Sequence, residues 1–208
     1  MGKVNENEIR AAGPLKVYDS NHDGTISPEE FKGVPADIAA QALVKNMKGE
    51  GPEVANDLAG RYILNHPRHI AIANNKALQA RLKSFGMASE IGDLLVILHL
   101  DKIRNADGSL NKEHLQSIAD LTLPISATIN KSAASTLRRW LEFDHSDDVT
   151  SALISALTTV AKGLSHTDLL EETASIGRVL IDSRKDLSAQ QRRALVQAHD
   201  ALIALNRT

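Results

Sequence analysis

From Pro35 to Leu205 nearly every segment repeats its apolar residues with a helical period, and no alternating strand of useful length interrupts the pattern. The fold class that follows is all-α. Pro35 opens a helix reaching about Lys48, with Ala39, Ala42, Leu43 and Met47 on one side and Gly49 at its end. Pro52 opens the next, carrying Val54, Leu58 and Tyr62, and Pro67 opens a third through Ile70, Ala73, Ala77, Leu78 and Phe85 to a C-terminal cap at Gly86. Ser89 reads as the cap of a fourth, where Ile91, Leu94, Leu95 and Leu98 recur at i, i+3, i+4 and i+7. Further helices open at Pro124, Ser146, Ser165 and Ser188, a spacing of about twenty residues that suits four antiparallel helices joined by short turns. Ser188 and Gln191 form a capping box, and Ser165 with Asp168 a similar start. The expected organisation is a helical domain over 1–122 and an antiparallel four-helix bundle over 123–208, with one continuous domain as the alternative.

One stretch is of another kind. Asp19-Ser20-Asn21-His22-Asp23-Gly24-Thr25-Ile26-Ser27-Pro28-Glu29-Glu30 sets oxygen-bearing residues at alternate positions around a glycine. It resembles, position for position, the twelve-residue loop of the EF-hand superfamily, and the resemblance covers about residues 8 to 34. That resemblance implies a calcium ion. Asp19, Asn21 and Asp23 would offer side-chain oxygens, Thr25 its backbone carbonyl, Ser27 a water-mediated contact and Glu30 both carboxylate oxygens. Gly24 permits the sharp turn, and Ile26 is the apolar eighth residue that in this family packs against a partner loop. The flanks depart from the family. Gly13-Pro14 interrupts the entering helix, and Gly33 and Pro35 end the exiting one after about a turn and a half. A large helix-opening motion therefore does not follow from the resemblance.

A second stretch, Asn105-Ala106-Asp107-Gly108-Ser109-Leu110-Asn111, matches positions three to nine of such a loop, but Ile103 and His114 stand where its first and last ligands belong. The expectation is a degenerate loop over 103–114 that pairs with the first through Ile26 and Leu110; Asp101 and Glu113 are the nearest acids. An ordinary Asp-Gly turn leading into a helix cap is the simpler alternative.

Composition excludes several classes. The 208 residues carry 24 basic and 26 acidic side chains, a net charge of -2, and aromatics make up only 3%. That balance argues against nucleic acid or an anionic membrane as the main partner. With no cysteine there is neither disulfide nor thiolate zinc site nor cysteine nucleophile. Met1–Asn7 has no apolar run of the signal-peptide kind, and Leu94–Leu98 is far too short to span a bilayer. A cytoplasmic location is expected by default, with secretion by another route left open.

Catalytic chemistry would start from Glu142, Asp144, His145, Asp147 and Asp148, the densest titratable cluster outside the loop. The same residues suit a helix junction, where acids complement a helix start. His66 and His69 flank Pro67-Arg68 without a third local metal ligand. The favoured function is thus a calcium-binding helical protein in which the ion stabilises or switches a surface for a protein partner. The alternative is an enzyme or secreted effector in which calcium is purely structural, with catalytic residues the sequence does not assemble.

Overall fold

The computed structural model describes residues 8–182 and 185–207, so Met1–Asn7 lies outside the described residues. The described residues are mostly helical, with one very small sheet among them. The chain divides into two compact units after Ile91, earlier than the boundary at 122/123 expected from the sequence. Among the described residues no helix is long and apolar enough to cross a membrane.

In the first unit, strand β1 (Ile9–Arg10) pairs antiparallel with β2 (Thr25–Ile26), in the register Ile9 to Ile26 and Arg10 to Thr25. Between them a 3-10 helix, Gly13–Tyr18, leads into the 19–30 loop; Pro14 suits its first turn because that turn has no internal partner for an N–H. Helix α1 (Pro28–Phe31) is a single turn. Helices α2 (Ala36–Asn46) and α3 (Pro52–Leu58) follow, and α3 widens into a π-helical turn at Ala59–Ile63. Helices α4 (His69–Ala73) and α5 (Lys76–Ser84) both pack on α2. Ile9, Ile26, Phe31, Leu43, Leu58, Tyr62, Ile72 and Leu78 are fully buried and form this unit's core.

Two helix boundaries differ from expectation here. The helix expected from Pro67 to Phe85 is broken, because Asn75 leaves the helical region and its side chain accepts hydrogen bonds from the Ala77 and Leu78 amides, starting α5 afresh. At the far end Gly86 sits at φ +74°, and the Gly86 and Met87 amides reach back to the Lys83 and Leu82 carbonyls in a Schellman closure. The next helix, α6 (Ala88–Asp101), starts ahead of Ser89, since the Ile91 amide already bonds the Met87 carbonyl.

In the second unit α7 (Lys112–Ala119) and α8 (Ala127–Trp140) pack on α9 (Asp147–Ala161), and α10 (His166–Ile181) packs on α11 (Ala189–Leu205), which also meets α9. The helical cluster therefore includes α7 as well as the four helices expected. Helix α8 opens at its Ser126 cap, not at Pro124. The cause is a close approach: a Cβ on Gly92 would lie 2.2 Å from the Pro124 carbonyl oxygen, and the Ser126 amide is tied to Asp93 at 2.7 Å. The caps at Ser165 and Ser188 stand as expected, the latter as a full capping box with Gln191.

Candidate functional site

The 19–30 loop is built by short-range hydrogen bonds that the residue order dictates. Asp19 accepts from the amides of Asp23 (3.2 Å) and Gly24 (3.0 Å), Asn21 Oδ1 from Asp23 (3.0 Å), and Asp23 Oδ1 from the Thr25 amide and hydroxyl (2.8 Å each). The Asn21 and Asp23 bonds, each to the amide two residues on, are Asx turns, the form in which short acids and amides fold a backbone onto themselves, while Asp19 reaches four and five residues on to span the turn. Two left-handed residues make the winding: Gly24 at φ +87° and His22 at φ +57°. Asp19 is the buried member of the set, only 8% exposed, while Asn21 and Asp23 face solvent.

Glu30 closes the loop. Oε1 accepts from the Ser20 amide (2.8 Å) and hydroxyl (2.6 Å), and Oε2 from the Ser27 amide and hydroxyl (2.9 Å each). Ser27 in turn caps α1 by accepting from the Glu30 amide, a capping box. The bond from Ser20 and those from Ser27 hold the Glu30 carboxyl down at about 2, and the Thr25 bonds lower that of Asp23. Both are ionised at neutral pH.

The sheet fixes the direction of the one backbone carbonyl among the candidate positions, that of Thr25. The Ala11 amide bonds the Gly24 carbonyl at 3.0 Å, so Arg10 and Thr25 form the alternate pair, whose N–H and C=O groups point away from the partner strand. Accordingly the Arg10 amide goes to Asn46 and the Thr25 amide to Asp23. The Thr25 carbonyl, on the same side as its amide, therefore faces the loop. All six positions named from the sequence thus lie on one wound segment, and what they can offer is oxygen alone. They are not drawn into a tight knot: among the described residues no three His, Asp or Glu side chains are gathered closely enough to hold a metal ion. The reason lies in the bonds above, since each carboxylate is turned to its own amide or hydroxyl donors.

Each stretch's apolar eighth residue has a backbone partner within its own unit. Ile26 pairs with Ile9, and Leu110 with Arg104 in a bridge closing its own hairpin. Proximity in sequence favours this: fourteen intervening residues bring β1 to β2, and a five-residue turn brings Arg104 to Leu110. The signal that could have found β1 is the Ile9-Arg10 pair just ahead of Gly13-Pro14.

Elsewhere the candidate chemistry resolves into structural bonds. Glu142 meets Arg138 and Lys185, Asp144 accepts from Ser188 (2.6 Å), His145 Nε2 bonds the Trp140 carbonyl (2.8 Å), and Asp148 is held by Ser146 and Lys112. His66 is buried, with Nδ1 accepting from the Arg68 amide and Nε2 left to donate to the Val34 carbonyl, both at 2.9 Å. Burial lowers its pKa, and both nitrogens are engaged, so it has no lone pair for a metal.

The chain matches no protein-family model, no curated protein and no solved structure.

Proposed function

We propose that the 19–30 loop is a calcium site of EF-hand type, held by Asp19, Asn21, Asp23, the Thr25 carbonyl, Ser27 through water, and Glu30. The observation that supports this most is the run of amide-to-side-chain bonds that orients Asp19, Asn21 and Asp23 along one turn, with the Thr25 carbonyl on the loop side of the sheet. An all-oxygen donor set of three carboxylates, an amide and a carbonyl suits a hard cation with relaxed geometry, and no thiolate or free imidazole competes within the loop's six ligand positions. Calcium supplies the positive charge that three acids on one turn otherwise lack.

Glu30 is the residue that changes most in this reading. Its four acceptor positions are taken by Ser20 and Ser27, so serving as a bidentate ligand means releasing at least the two hydroxyls, which rotate freely. The exiting helix is one turn long, and the motion this permits is a local one. The surface it would adjust is near at hand. Arg10, opposite Thr25 in the sheet, also lines a cavity of about 590 Å³ together with the apolar Leu15, Ile38 and Ala42 and the charged Lys45 and Glu50. Such a mixed apolar and charged lining suits a side chain of a protein partner.

The test is thermal unfolding with and without calcium. Wild type gains stability with the ion, and Asp19→Ala loses that gain while its helical content without calcium stays the same. An undiminished gain in Asp19→Ala would remove the site from this loop.

A further inference from the structure

We infer that Tyr62 is the positioning residue of the loop, its hydroxyl setting ion affinity by fixing the strand that carries the backbone ligand. This rests on the calcium reading above. Tyr62 lies 36 residues along the chain from Ile26, yet its hydroxyl donates to the Ile26 carbonyl at 2.8 Å and accepts from the Ile9 amide at 3.5 Å. One buried oxygen thus touches both strands of the only sheet among the described residues.

The backbone geometry turns that contact into leverage. In an extended segment successive carbonyls point to opposite sides, so a donor that holds the Ile26 carbonyl inward holds the Thr25 carbonyl outward, toward the loop. Thr25 is the one ligand with no side-chain freedom. If its carbonyl swings, no rotamer compensates.

Tyr62 is itself held in an unusual way. It sits in the π-helical turn Ala59–Ile63, a rare widened turn of the kind often found at functional sites. Its ring is clamped edge-on by Phe31, the last residue of α1, with centroids 5.0 Å apart at 75°. Phe31 is next to Glu30, so the ring contacts the exit of the loop while the hydroxyl contacts its strand. Burial keeps the phenol protonated well above neutral pH, so it remains a donor. A buried tyrosine needs some partner for its hydroxyl; choosing the backbone at position eight of the loop is what ties it to the ion.

The decisive variant is Tyr62→Phe, which keeps the ring against Phe31 and removes the hydroxyl alone. Calcium affinity of wild type and variant is measured by calorimetry well below their melting temperatures, with Tyr18→Phe as background so that Tyr62 is the remaining tyrosine of the two. The expected result is roughly tenfold weaker calcium binding in Tyr62→Phe, the scale of one buried hydrogen bond, and a calcium-induced ultraviolet difference signal from Tyr62 in the Tyr18→Phe protein. A tyrosine that merely stabilises the unit lowers melting temperature without moving the dissociation constant. Equal affinities within about twofold, with wild type binding calcium, overturn this inference and leave the site standing. No calcium binding by wild type overturns the site, and this inference with it.

Discussion

The two Asp-Gly stretches share their middles and differ at their ends. Gly24 and Gly108 sit at φ +87° and +85°, Asp23 and Asp107 each accept an amide and a hydroxyl two residues on, and Ile26 and Leu110 are both buried. At position one, however, stands Asp19 in the first and the buried Ile103 in the second, 4% exposed. At the last position Glu30 spans the first loop, while His114 turns to His99, Nδ1 to Nδ1 at 2.9 Å. The first loop is joined to a separate strand, and the second closes on itself. The middle of such a loop is turn chemistry that any Asp-Gly hairpin can use. Its ends decide whether oxygens are brought round a common centre.

The comparison breaks most visibly at position one. Ile103→Asp, the change that would complete the second loop's start, places a carboxylate in the core and lowers stability by about 3 kcal/mol or more, read by urea unfolding. Next comes position twelve. Glu30→Gln removes the calcium-dependent stabilisation, about 2.7 kcal/mol at a free ion concentration one hundred times the dissociation constant; His114→Glu creates none, because Ile103 still blocks the first ligand. The shared middle gives equal and smaller effects: Gly24→Ala and Gly108→Ala each cost about 1 to 2 kcal/mol without calcium, since both force a side chain into the left-handed region. Only Gly24→Ala also weakens the calcium response. Acid titration without calcium carries the subtlest difference. The Glu30 carboxyl, at about 2 in the fold against an ordinary 4.5, adds stability that is full above about pH 4.5 and is lost as pH falls toward 2. Ser20→Ala, which removes the largest cause, shrinks that loss.

The helical class, both loop glycines and the caps at Ser146, Ser165 and Ser188 were legible because each depends on residues close in sequence. What was not legible depends on distance. Ser126 replaces Pro124 as a helix start because Gly92 lets α6 come against the Pro124 carbonyl, and no local pattern at 124 records that. The pairing of Ile9 with Ile26 was not legible because β1 is two residues long, too short for an alternating pattern. Tyr62 reads as an apolar helix residue; its hydroxyl bond to Ile26 is set by the π-helical turn, which leaves no signature in residue types. Of the candidate site itself, the winding of the loop around Gly24 could be read from spacing, whereas the hold of Ser20 on Glu30 could not.

The most direct test of the central claim is calorimetric titration with calcium, run beside magnesium, on wild type and Glu30→Gln. One calcium site in wild type, far weaker for magnesium and absent in Glu30→Gln, is the result this structure leads one to expect. No heat of binding in wild type, or an equal site in Glu30→Gln, would contradict it.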